Sequence, residues 1–82
     1  MDTFSYVYIL ESEVDPHRHY TGLTNNLKRR IQKHNQGGVP HTAKSRPWKL
    51  RVAIAFPCRD AASQFEAYLK SHSGRAFAAK HL

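Results

Sequence analysis

Apolar positions first run together, then alternate, then recur at helical spacing, so the chain divides into strands and helices with little left over. Phe4-Ser5-Tyr6-Val7-Tyr8-Ile9-Leu10 is β-branched and aromatic with hardly a polar break, the pattern of a strand covered on most of its surface. The polar run from Glu11 to Arg18 carries the turn signal Asp15-Pro16, and a second strand follows around His19 to Leu23. Two strands joined in this way form an antiparallel hairpin with a loop longer than the tight two-residue kind.

Thr24, Asn25 and Asn26 are all good N-cap types, and Leu27 and Ile31 then recur at helical spacing. This helix is expected to end at Gln36-Gly37-Gly38, where glycine takes the left-handed conformation past the last turn. Residues 37–47 read as a basic loop ending in Arg46-Pro47. A third strand spans Trp48 to Phe56, with Leu50, Val52, Ile54 and Phe56 alternating against Arg51 and small alanines. Asp60 is a plausible cap for a helix that turns Ala62, Phe65 and Leu69 inward, and Gly74 is expected to close it. Arg75 to Leu82 reads as a short terminal helix packed through Phe77. The order β-β-α-β-α-α predicts an α+β fold, a small three-stranded antiparallel sheet flanked by helices, with residues 1–82 as a single domain.

Charge changes the picture more than composition does. Thirteen Lys and Arg stand against six Asp and Glu, a formal net charge of +7. On a surface this small, that excess attracts polyanions. Nucleic acid is the leading partner, ahead of an anionic membrane or an RNA–protein assembly, while plain solubility is the simplest alternative. Cys58 is the only cysteine, which leaves no intramolecular disulfide and no thiolate zinc cluster. No apolar run approaches the roughly 20 residues that span a bilayer, and no signal peptide is recognisable at the N-terminus, so a cytoplasmic protein with no membrane partner is expected.

The candidate chemistry gathers in HYTGLTNNLKRRIQKHNQGG, residues 19–38. A strand ending in Tyr20-Thr21-Gly22 runs into a helix bearing Lys28, Arg29 and Arg30, with His34 one turn on. Gly22 is expected to allow a tight turn after the strand, bringing the helix N-terminus to the same pocket. An arginine is suited to a phosphate because its planar donors grip two oxygens at once. Each residue also has a plainer reading. Arg30 and His34 could be a solvated helix edge beside Leu27 and Ile31. Glu66 stands four residues before Lys70, the spacing of an ordinary helix ion pair. Tyr6 and Tyr8 could be core and rim aromatics. His17 and His19 form a His-x-His pair without a third ligand at recognisable spacing, and His41, His72 and His81 default to solvated surface. Lys28, Arg29, Lys44, Arg46, Lys49 and Lys70 suit a track for phosphate backbone, with Thr42 and Arg46 lining a substrate groove.

Taken in order, Tyr8, Tyr20-Thr21-Gly22, Arg30, His34-Asn35 with Gly37, Pro47-Trp48-Lys49-Leu50, Glu66 with Lys70, and Gly74-Arg75-Ala76-Phe77 resemble the GIY-YIG nuclease superfamily. The likeness is greatest to its small stand-alone bacterial branch, the URI-domain predicted endonucleases. It implies a divalent-metal-dependent endonuclease that hydrolyses DNA phosphodiesters, with one Mg²⁺ or Mn²⁺ ion held by Glu66 and with Tyr8, Tyr20, Arg30 and His34 as catalytic residues. Which tyrosine serves as base stays open at this level. The first triplet reads Tyr6-Val7-Tyr8 without its glycine, Leu23 stands where repair nucleases of the family carry lysine, and the usual C-terminal asparagine has no clear counterpart near Ala78. Low sequence specificity and a repair or recombination role are expected, with RNA open as a substrate and a protein partner or homodimer as a means of targeting. The alternatives are a non-catalytic basic nucleic-acid-binding module on the same fold and, more remotely, a basic adaptor for a protein partner.

Overall fold

The computed structural model describes residues 3–82. Three strands, β1 (Ser5–Ser12), β2 (His19–Thr24) and β3 (Trp48–Phe56), form an antiparallel sheet in the order β2-β1-β3. The helices are α1 (Leu27–Asn35), the single turn α2 (Pro40–Ala43), α3 (Arg59–Lys70) and α4 (His72–His81). The expected α+β architecture is present, with one addition: the segment read as a basic loop contains α2, which Pro40 starts from its first turn.

β1 is the central strand and its near-continuous apolar run is explained by cover on both faces. Val7 and Ile9 pack with Ala62 and Leu69, joined by Leu23, Val52, Phe56, Phe65, Ala78 and Leu82. Tyr8 and Leu10 face the other way, against Trp48, Tyr20, Leu27, Ile31 and Ala53. The sheet is thus held between α3 and α4 on one side and α1 on the other. Burying the two faces of a single strand gives a short chain two small clusters in place of one large core. Among the described residues no helix is long and apolar enough to cross a membrane.

Capping follows sequence at α1 and departs from it at α3. Asn26 accepts from the Arg29 N–H through Oδ1 (3.0 Å). Past the helix, Gly37 (φ +80°) and Gly38 donate to the carbonyls of His34 (3.2 Å) and Lys33 (3.0 Å), the paired bonds of a Schellman ending. At α3 the N-cap is Cys58, with no side-chain bond, and Asp60 lies within the first turn, where its charge favours the helix N-terminus. The expected terminator Gly74 instead lies inside α4. Ser71 separates the two helices, donating to the Tyr68 carbonyl (2.5 Å) and accepting from Gly74 N–H (3.1 Å). A Cβ on Gly74 would overlap the Tyr68 carbonyl and lie 2.7 Å from Leu69 Cα, so glycine here permits contact between the helices at their corner.

Two apolar residues face outward against expectation. The β1–β3 register shifts between Ile9 and Leu10, leaving Arg51 as an extra residue between Leu50 and Val52, and Leu50 is left exposed. Phe77 is also exposed, and α4 seats itself through Gly74, Ala78 and Leu82 instead.

Candidate active site

Gly22 does not form a turn. It lies within β2, paired with Tyr8 of β1, and a Cβ there would collide with the phenol, 2.5 Å from Tyr8 Cζ. The missing side chain is the space into which the Tyr8 ring lies down across the neighbouring strand. Tyr8 is consequently fully buried and aimed at α1.

At α1 the Tyr8 hydroxyl meets His34 Nε2 at 3.0 Å, and His34 Nδ1 meets Thr42 Oγ1 at 2.8 Å. The Thr42 hydroxyl donates its one proton to the Val39 carbonyl (3.2 Å), so it can only accept from the imidazole. That places a proton on His34 Nδ1, and in the neutral ring, which burial favours, Nε2 accepts from the Tyr8 O–H. Burial lowers the His34 pKa from its ordinary 6.5, and the charges of Arg30 and Lys33 push it further the same way. Burial likewise raises the Tyr8 phenol above its ordinary 10.0, opposed in part by the Arg30 guanidinium, with Tyr20 and Glu66 adding to the rise. At neutral pH both protons stay where the hydrogen bonds place them.

Two further rings, Tyr20 and His41, stand beside this chain of bonds. The Tyr20 ring centroid lies 4.9 Å from His34 and 6.4 Å from Tyr8, and the exposed His41 ring stands 6.2 Å from Tyr20 on its outer side. The carbonyl of buried Thr42 accepts from Trp48 Nε1 (2.9 Å), which ties α2 to the start of β3. Asn35 completes the clamp: its Oδ1 accepts from the Trp48 N–H (2.6 Å) and its Nδ2 donates to the Trp48 carbonyl (3.0 Å).

The structure thus draws together Tyr8, Tyr20, Arg30 and His34, with Glu66 close enough to act on the Tyr8 phenol. Glu66 is mostly covered, 21% exposed at its side chain, and pairs with Lys70 Nζ at 3.2 Å. Thr42, read as a groove residue, is buried with its hydroxyl committed to His34 and Val39. Lys28 and Arg29 are exposed on α1, and Lys44 and Arg46 are exposed just after α2. Lys49 is exposed on β3 and pairs with Glu11 (3.4 Å). His17 and His19 are exposed, and His19 meets Glu11 (3.4 Å) and Arg51 (3.1 Å). Among the described residues no group of three or more His, Cys, Asp or Glu side chains is arranged to hold a metal ion.

Two members of this neighbourhood escape sequence reading. His41 comes beside Tyr20 because α2 carries it there, and the available signal was Pro40 opening a turn. Asn35 gives no local sign of its partner, since Trp48 lies thirteen residues away.

A model of the GIY-YIG catalytic domain matches residues 4–80. The chain is 39% identical over 71 residues to UPF0213 protein BH0048 of Halalkalibacterium halodurans, covering 85% of this chain and 73% of that protein. The solution NMR structure of UPF0213 protein BH0048 from Bacillus halodurans aligns with a TM-score of 0.56 and 34% identity, over 94% of this chain and 83% of that one. The chain is also 46% identical over 71 residues to the structure-specific endonuclease subunit SLX1 of Candida dubliniensis, covering 78% of this chain and 25% of that protein. It thus spans about a quarter of the length of the SLX1 relatives it matches. A family match over nearly the whole length and the likeness to BH0048 in sequence and fold agree: the chain belongs to the GIY-YIG family.

Proposed function

We propose that this domain is a divalent-metal-dependent endonuclease that hydrolyses DNA phosphodiesters with low sequence specificity, in repair or recombination. The observation that carries the reading is the buried relay Tyr8–His34–Thr42 beside Arg30 and Glu66. The Tyr8 hydroxyl faces His34 Nε2, and an attacking water would reach the buried phenol oxygen through a shift of the side chains that cover it. As that water attacks phosphorus, its proton passes to Tyr8 and the Tyr8 proton moves on to His34, whose Nδ1–H remains anchored on Thr42. The raised Tyr8 pKa supports this concerted route, because a standing phenolate is not the resting base. In this reading Arg30 grips the phosphoryl oxygens and offsets charge developing at Tyr8, a role supported by its charge beside the phenol.

The donor set suits a hard cation. One mostly covered carboxylate, Glu66, with no group of three His, Cys, Asp or Glu among the described residues, suits Mg²⁺ or Mn²⁺ that keeps several of its waters better than zinc. Bound there, such an ion would compensate charge on the phosphoryl oxygens and the departing alkoxide. Lys70 occupies Glu66 Oε2 at 3.2 Å, so an ion would share the carboxylate with it through Oε1 or displace it. That pair favours the second reading, a non-catalytic nucleic-acid-binding module, because it satisfies Glu66 without an ion.

The SLX1 relatives are named structure-specific endonuclease subunits, which supports cutting at non-uniform DNA and a protein partner for targeting. The test is incubation of the purified protein with plasmid and with single-stranded DNA, in Mg²⁺, Mn²⁺ or EDTA, beside Glu66→Gln purified identically. The expected result is metal-dependent cutting that disappears in the variant while DNA binding persists. Equal traces of cutting from both proteins would transfer the reading to the binding module.

A further inference from the structure

Beyond Tyr20 the surface opens into two adjoining hollows of about 660 and 310 Å³. His17, His19, Tyr20 and His41 line both, so they form one trough leading away from the relay. The larger hollow has an apolar floor of Ile9, Leu69, Ala78 and Ala79, with Arg51, Lys70 and Arg75 around it. Arg51 is already engaged by Glu11 (3.4 Å) and His19 (3.1 Å), whereas Arg75 has no ion-pair partner among the described residues. No Asp or Glu among them lines either hollow.

This mixture discriminates between forms of nucleic acid. A duplex turns phosphates and sugars outward and keeps its bases stacked within, so its docking calls for cations and not for an apolar floor. An unpaired strand brings both chemistries: bases that seek aromatic and apolar surfaces, and a phosphate for each of them. The larger hollow falls within the roughly 300–1,000 Å³ of cavities that enclose small organic groups. The geometry points to this trough as the seat of an unpaired DNA strand, with nucleobases against Tyr20, His41 and the apolar floor and with phosphates at Lys70 and Arg75. The inference rests on the nuclease reading for its direction, since the strand would run toward Tyr8 and Arg30, but strand binding is measurable without turnover. Lys70 links the two: a phosphate drawing its ammonium away would release Glu66.

The test is fluorescence anisotropy of a labelled oligo(dT) strand and of a hairpin duplex with the same number of phosphates, in EDTA at fixed low salt. Wild type is expected to bind the single strand about fivefold or more tightly than the duplex. Ala79→Phe fills the hollow from an exposed helix position, and Arg75→Ala removes its unpaired cation. Each should weaken single-strand binding by about fivefold to tenfold and change duplex binding by less than about twofold. Thermal melts of both variants establish that they are folded, and Arg75→Ala carries the test if the larger side chain unfolds the protein. Duplex binding equal to or tighter than single-strand binding in wild type would overturn the proposal. So would an equal loss for both ligands in the folded variants. Because the measurement is made without metal, failure of the Glu66→Gln cleavage test leaves its outcome readable.

Discussion

The neutral imidazole of His34 holds a buried tyrosine proton on one side and a buried threonine oxygen on the other, and its charge state governs both bonds. Protonation at Nε2 would turn the Tyr8 hydroxyl from donor to acceptor and close the relay. The folded-state pKa is depressed, so the unfolded chain takes up this proton at higher pH than the folded one. The stabilising contribution is therefore complete above the ordinary value of 6.5 and is lost as pH falls from there through the folded value. In urea titrations between roughly pH 7 and pH 5, wild type should lose stability more steeply than His34→Gln. At neutral pH the variant should be less stable by about 1–3 kcal/mol, because Tyr8 and Thr42 lose well-aligned partners. Parallel curves would show that the fold does not hold His34 neutral. At this scale the sequence was informative wherever a residue type and its chemistry coincide. Tyr8, Arg30, His34 and Glu66 could be named because few other roles suit them in that order. Gly22 was equally visible, yet a glycine shows only that a side chain is excluded, and here the excluding group is a ring on another strand.

Elements were legible to the extent that their causes are local. The strands announced themselves by β-branched and aromatic runs, and α1 by its Asn26 cap and double glycine ending. The boundary between α3 and α4 was displaced because its determinant is a meeting of two helices. Gly74 reads as a stop signal, but its function is to bring the backbone of α4 against Tyr68 and Leu69. Gly74→Ala should accordingly cost about 1–3 kcal/mol or more, although alanine is the better helix former by about 1 kcal/mol. In a domain of this size that corresponds to a fall of several degrees in Tm, about 4–8 °C for each kcal/mol. Ser73→Ala, at the exposed preceding residue, should change the melting temperature little. A neutral Gly74→Ala would mean that the corner opens at no cost. Leu50 was misassigned for a related reason: strict alternation assumes an unbroken ladder, and the register shift opposite Ile9 and Leu10 lies in the pairing, not in β3 alone.

At the scale of the whole molecule two groups of exposed cations are candidates for phosphate, Lys28, Arg29, Lys44 and Arg46 on α1 and just after α2, and Lys70 and Arg75 by the trough. If both contact phosphates, log K for DNA should fall against log salt with a slope of about −3 to −5, for some four to six neutralised phosphates. Lys28→Ala/Arg29→Ala should make that slope shallower by about 1–2 without altering sequence preference. Binding indifferent to salt would assign the charge to solubility. At this scale the net charge of +7 told what class of partner to expect, and only the folded surface separates cations over an apolar floor from cations on open helix. One clamp has a wider consequence. Asn35 grips both main-chain polar groups of Trp48, so one side chain closes the base of the intervening segment, while Thr42 pins its middle to His34 and Trp48. Its span is fixed at the base while its length is not, and lengthening a tethered loop adds only about 0.6 kcal/mol for each doubling. Between Asn35 and Trp48 the architecture therefore offers a tethered segment in which residues could be added beside α2 to change what the surface binds, provided that Thr42 stays against His34 and Trp48.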